Sequence, residues 1–112
     1  MLRDLQWSPS EKKAARKAFE AAYERECGAI ASRLKEMMQD DADPRYIWRI
    51  HEYLSQQRRD TDQKYDYRYS VLIEVFARLL NEGWLKEQEL SGLSPDKIEQ
   101  IKGLADFFAG RA

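Results

Sequence analysis

After Pro44 the chain runs to Asn81 without a Gly or another Pro, and its spacing predicts one continuous helix from Pro44 to Asn81. At 1.5 Å per residue that helix is roughly 57 Å long, whereas a compact domain of this size has a radius of gyration of only about 13 Å. One subunit cannot cover such a rod, so the length predicts a partner, and a second copy is the simplest. Along it Ile47, Ile50, Leu54, Tyr65, Leu72, Phe76 and Leu79 fall on one apolar stripe. Between Ser55 and Lys64 the stripe is interrupted, because Arg58 and Thr61 stand where apolar residues would continue it. This polar waist leaves open a local bend at Asp60-Thr61-Asp62, residues of poor helix propensity.

The flanking punctuation is helical as well. Ser8-Pro9-Ser10-Glu11 places a hydroxyl at the N-cap, Pro at the first helical position and Glu at the third, a capping box with φ already fixed. From there Ala15, Phe19, Tyr23, Ile30, Leu34 and Met37 or Met38 recur at helical spacing. Gly28 weakens that helix by about 1 kcal/mol relative to Ala. Asp40-Asp41-Ala42-Asp43-Pro44 ends the first helix and starts the second, with Asp43 as N-cap. A link this short predicts an antiparallel hairpin. Gly83 is placed as the residue that ends the long helix, and Lys86 to Leu90 fit a short turn. Ser94-Pro95 opens a last helix through Ile98, Ile101, Leu104, Ala105 and Phe108, with Leu93 stapled onto Ile98. No segment alternates as a strand does. The expected fold is a single all-α domain over 1–112: a two-helix stem (8–80) and a small helical head (81–112).

Composition narrows the function classes. A formal net charge of −1 and a pI near 5.9 argue against sequence-independent nucleic-acid binding, which needs uncompensated Lys and Arg; Asp60 and Asp62 follow Arg58-Arg59 at once. No apolar run approaches the ~20 residues of a membrane span, and the amino terminus has no signal-peptide pattern, so the expected location is cytosolic. Cys27, the only cysteine, is expected to be reduced and partly buried. Phosphate loops, metal-binding clusters and nucleophile elbows are not represented. His51-Glu52 with Asp62 makes a poor metal set, since neighbouring residues on a helix diverge by about 100°. An enzyme using His51 as base, with Glu52, needs a closed pocket around it. In Lys64-Tyr65-Asp66-Tyr67-Arg68-Tyr69-Ser70, aromatics interleave with cations; on a helix Tyr65 and Tyr69 share one face and Tyr67 points away, which favours interface packing over base stacking.

One constellation stands out. Trp48, His51, Glu52, Ser55, Arg58, Arg59 and Asp62 line one side of the long helix beside its apolar stripe. A solvated face with local Glu-Arg pairs is the bland account of it. Trp beside Arg is instead the composition of a protein-protein hot spot, the ring filling a pocket and the guanidinium making planar hydrogen bonds.

The run Ile47-Trp48-Arg49-Ile50-His51-Glu52-Tyr53-Leu54, then Arg58-Arg59, Asp62-x-Lys64-Tyr65-Asp66-x-Arg68-x-Ser70-Val71 and Val75-Phe76-Ala77 resembles the fluorescence recovery protein family. The similarity continues through Glu82-Gly83-Trp84-Leu85 and Glu89-Leu90. The resemblance implies an all-helical homodimer, without cofactor or metal, that binds the photoactivated orange carotenoid protein. It implies acceleration of the red-to-orange reversion and release of the carotenoid protein from the phycobilisome, in the cytoplasm beside the thylakoid. It also implies a partner-binding surface at Trp48, His51 and Arg58, to which Glu52 and Arg59 are added as neighbours, and a dimer seam at Ile47, extended by Ile50, Leu54 and Tyr65. Glu52 departs from the family pattern, which has Asp there. The alternative is a dimeric helical adaptor with a different protein target, in an organism without phycobilisomes.

Overall fold

The computed structural model describes residues 6–39 and 43–110. They form helices α1 (Pro9–Gln39), α2 (Tyr46–Lys64), α3 (Leu72–Glu82) and α4 (Pro95–Phe108), with a short 3-10 turn at Glu87–Leu90 before α4. Among the described residues there is no strand, as the all-α expectation requires, and no helix is long and apolar enough to cross a membrane. The link through Asp40, Asp41 and Ala42 lies outside the described residues. The molecule extends 54 × 30 × 24 Å with a radius of gyration of 16.9 Å, longer than a compact domain of this size. α1, with 31 residues, supplies that length.

The capping box at Ser8 forms as expected and reaches further. Ser8 Oγ accepts the Glu11 N–H at 3.1 Å while the Ser8 N–H donates to Glu11 Oε1 at 3.0 Å. Glu11 Oε2 also accepts the Ser94 N–H at 2.8 Å, and both its oxygens lie 3.2 Å from Lys97 Nζ. Lys97 in turn donates to the Gln6 carbonyl and stands over the buried Trp7 ring. The start of α1 is thereby tied to the start of α4, whose Ser94 cap accepts the Lys97 N–H. The Ser8 N–H holds the Glu11 carboxyl at about 2; burial opposes this, and Ser94 and Lys97 reinforce it.

The continuous helix expected from Pro44 to Asn81 is corrected by the structure to α2 and α3, separated by Tyr65–Val71. Its start is also later: Arg45, not Asp43, is the N-cap, and Asp43 instead accepts the Arg45 N–H at 3.0 Å. The break falls after Lys64, beyond the Asp60-Thr61-Asp62 waist. Its cause is the Tyr-x-Tyr-x-Tyr alternation. In non-helical backbone Tyr65, Tyr67 and Tyr69 all pack toward the same side: Tyr65 and Tyr67 meet Phe19 at 5.4 and 4.8 Å, and Tyr69 meets Trp7 at 5.4 Å. Arg16 covers the Tyr67 ring at 3.8 Å. A helix would turn Tyr67 away from the other two. Burial and the Tyr69 hydroxyl push the Tyr67 phenol up to about 12. Between them Asp66 and Arg68, at the alternate positions, pair with each other at 2.6 Å.

The turn sends α3 into the head. Leu72, Phe76 and Leu79 are fully buried there with Leu90 and Ile101, and α3 packs chiefly on α4. α3 ends at Gly83, where φ is +87° and the Trp84 N–H returns to the Leu79 carbonyl at 3.0 Å, as a Schellman closure requires. The buried line of α1 is Ala15, Ala18, Ala22 and Glu26 rather than the bulkier stripe expected. Tyr23 and Met38 are exposed. Because Glu26 takes the inward position, Cys27 is exposed, which corrects the expectation of partial burial.

Small residues let the turn after Leu90 approach α1: a Cβ on Gly92 would lie 2.5 Å from Ala14 Cβ. Gly92→Ala is therefore expected to cost about 1–3 kcal/mol through overpacking, whereas Gly28→Ala, with nothing within 4 Å, is expected to stabilise by about 1 kcal/mol; urea unfolding of both variants separates the two effects, and equal midpoints would refute the close approach. Glu11→Gln is expected to cost on the order of 2 kcal/mol at neutral pH. The folded carboxyl titrates at about 2, below its ordinary 4.5, so its stabilisation is present above 4.5 and is lost as pH falls toward 2. Unfolding midpoints measured across that window should fall less steeply in the Gln variant than in the parent.

Candidate interaction surface

α2 presents three stripes. Tyr46, Ile50, Tyr53 and Gln57 are half-buried and lead to buried Thr61 and Lys64, a four-then-three spacing that makes them one inward face. Ile47, His51, Leu54 and Arg58 form the next stripe, and Trp48, Glu52, Ser55, Arg59 and Asp62 the one after. Of these two outer stripes all but the half-buried Ser55 are exposed. Trp48 leaves 66% of its surface uncovered and Ile47 49%. A Trp held on a helix with that much of its ring in water is unexplained by packing within the chain.

Locally the charged residues are spaced to hold one another upright. Arg58 Nε donates to Asp62 Oδ2 at 3.1 Å, one turn on. Arg59 Nη2 donates to Gln56 Oε1 at 2.9 Å, and Gln56 Nε2 to Asp60 Oδ1 at 3.0 Å. These contacts are solvated and contribute only a few tenths of a kcal/mol each. Their effect is orientation: each pair links residues three or four apart and holds its guanidinium along the rod. His51 stands on the exposed stripe, not in the closed pocket that base catalysis needs.

Trp48, His51, Glu52, Arg58 and Arg59 are thus brought onto one exposed surface, with Ile47 and Leu54 beside them and Ile50 turned partly inward. Tyr65 is placed apart from them. It lies beyond the end of α2, its hydroxyl donating to Glu26 Oε1 at 2.8 Å and its ring meeting Tyr23 at 4.9 Å. Burial, then Glu26, pushes its phenol well above the ordinary tyrosine range.

Sequence reasoning overlooked a contribution from α1. Phe19 and Tyr23 of α1, with Thr61 and Asp62 of α2 and Tyr65, line an open hollow of about 310 Å³ beside Arg58. The neighbouring Cys27 thiol raises the Tyr23 hydroxyl above its ordinary range, and Arg58 and Asp62 also act on it. The available signal is the four-residue spacing of Phe19 and Tyr23, which the sequence reading places on the core stripe.

The sequence matches the model of a family described as photoprotection regulator fluorescence recovery protein over residues 7–105. It is 38% identical over 99 residues to the fluorescence recovery protein of Synechocystis sp. (strain ATCC 27184 / PCC 6803 / Kazusa), covering 88% of this chain and 91% of that one. Among solved structures, the Fremyella diplosiphon fluorescence recovery protein superposes with a TM-score of 0.82 at 43% identity, covering 89% of this chain and 98% of that one. The Synechocystis sp. PCC 6803 structure gives 0.83 at 38% identity with the same coverage. The chain belongs to the fluorescence recovery protein family of photoprotection regulators.

Proposed function

We propose that this protein is a non-enzymatic, cytoplasmic regulator that binds the photoactivated orange carotenoid protein, speeds its return from the red to the orange form and detaches it from the phycobilisome. The observation that carries this reading is the exposed Trp48 on a helix face flanked by His51, Glu52, Arg58 and Arg59, in a chain of this family. Such a face suits protein recognition: an aromatic anchor enters a pocket on the partner while guanidiniums engage carboxylates around it. Acceleration sets a further condition. The regulator must bind the transition state between red and orange more tightly than the red form. Holding two separated domains of the target close together meets part of that condition by raising their effective concentration.

The working unit is a homodimer whose seam runs along Ile47, Ile50 and Leu54 of α2, with Tyr65 bounding it where the rings close the hollow at the helix end. Ile47 and Leu54 are exposed in the single chain, and burying them against a second copy removes their apolar surface from water. α1 and α2 then form an antiparallel stem, and α3 and α4 a head.

Ile47→Glu is expected to shift the protein toward monomer in size-exclusion chromatography with light scattering. A wild type already monomeric at micromolar concentration would overturn the seam. Mixed with a photoactivated carotenoid protein in darkness, the wild type should shorten red-to-orange recovery read by absorbance. Trp48→Ala should weaken that effect by at least about tenfold in the concentration required. Equal potency of the two proteins would remove Trp48 from the surface, and no acceleration of several such targets would favour an adaptor with a different partner.

A further inference from the structure

Four parts of the chain converge on one buried ammonium. Lys64, the last residue of α2, donates to Glu26 Oε2 of α1 at 2.7 Å and to Glu82 Oε1 of α3 at 2.6 Å. Its side chain is 4% exposed and that of Glu26 8%. Trp84, after α3, donates its indole N–H to Glu82 Oε1 at 3.2 Å, Arg78 Nε donates to Glu82 Oε2 at 2.9 Å, and the Tyr65 hydroxyl occupies the remaining Glu26 oxygen. Burial works to raise the Glu82 carboxyl, but Lys64 and Arg78 outweigh it and hold it below the ordinary range.

Buried ion pairs add little to stability over apolar residues of the same volume, because desolvation consumes the Coulomb gain. What an apolar cluster lacks is direction. An ammonium with carboxylates fixed on two other helices accepts a narrow range of orientations, while packed methyl groups tolerate rotation. The location makes direction consequential. α2 is buried within the chain only at its Lys64 end; Thr61 and Lys64 are its buried residues. Trp48 lies sixteen residues away along the rod, so a rotation of about 10° at Lys64 displaces it by about 4 Å.

We propose that the Lys64–Glu26–Glu82 cluster is a positioning device that sets the angle at which α2 leaves the head, and so where the Trp48 and Arg58 surface stands relative to α3 and α4. Lys64 is a positioning residue here, since it touches no partner. The distance test below is independent of the proposed function; only the activity test rests on it.

Spin labels on Gln56→Cys and Glu99→Cys, both exposed positions, in a Cys27→Ser background and diluted with unlabelled chains, report the angle by pulsed dipolar spectroscopy. The parent should give one narrow distance distribution. The double variant Glu26→Leu/Lys64→Met should keep its helix content and melting temperature yet broaden that distribution by about twofold, as expected of a released hinge. Glu82→Gln, which leaves the Lys64–Glu26 pair intact, should broaden it less, and decides the matter alone if the double variant does not fold. A distribution as narrow as the parent's in the folded variants overturns the proposal. In the recovery assay both variants, with Trp48 and Arg58 untouched, should lose potency in step with the broadening. Lost potency at unchanged width also overturns the positioning role. A parent that accelerates nothing overturns the proposed function and leaves the distance result standing.

Discussion

The architecture depends on the three tyrosines laid against α1. If residues 65–71 were helical, Leu72, Phe76 and Leu79 would continue along the rod and α4 would have no partner. Turning the chain at Tyr65 lets α3 fold onto α4 and makes the head core. The helical hydrogen bonds given up are partly replaced by the Asp66 N–H to Lys64 and the Val71 N–H to Arg68. Aromatic contacts contribute about 0.5–1.5 kcal/mol each beyond area burial, and Tyr65, Tyr67 and Tyr69 each make at least one with α1 or Trp7 or with one another. A helix would keep only two of the three rings on that side. The alternation therefore wins because it recruits all three.

Much of this was legible in the residues. Ser8-x-x-Glu11, Ser94-Pro95 and Gly83 located their helix ends, since caps are local chemistry and need no tertiary context. The all-α class followed from the same punctuation. The break did not, for a physical reason: Tyr65 to Val71 holds neither Gly nor Pro, and its backbone choice is decided by Phe19, Arg16 and Trp7, remote in sequence. A period-two aromatic run was present and was weighed only as a helix. The site shows the same division. That Trp48, His51, Glu52, Arg58 and Arg59 share a surface follows from helix periodicity alone. That Phe19 and Tyr23 stand beside it depends on how α1 and α2 cross, and crossing is not written in either helix separately.

Electrostatics closes the structure where apolar burial is thin. Lys97 with Glu11 ties the start of α4 to the start of α1, and Arg25 grips Glu89 through both nitrogens at 2.7 and 2.6 Å while also reaching the Trp84 carbonyl. α1 carries only alanines on its buried apolar face, which bring backbones close but bury little area. Long charged side chains span from this thin face to the neighbouring elements. Their bonds specify geometry more than they stabilise it, since charge pairs recover mainly their own desolvation.

That distribution of forces bears on how a rod can serve as a recognition surface. The head has a core of large side chains and resists deformation; the outer half of α2 has none of its own. A surface on so lightly buried a helix has a definite position only if its base is fixed in direction or its face is covered by another molecule. The exposed Ile47 and Leu54 offer the second means, and the buried charges at Lys64 the first. The two act at opposite ends of the same helix. A second copy on the apolar stripe would fix the far end while leaving the Trp48 and Arg59 stripe open, because that stripe lies about 100° round the helix from the Ile47 and Leu54 stripe. Trp48, Glu52 and Arg59 are therefore separable by the helix period from the residues that hold α2 in place, whereas His51 and Arg58 share the Ile47 and Leu54 stripe and border the seam.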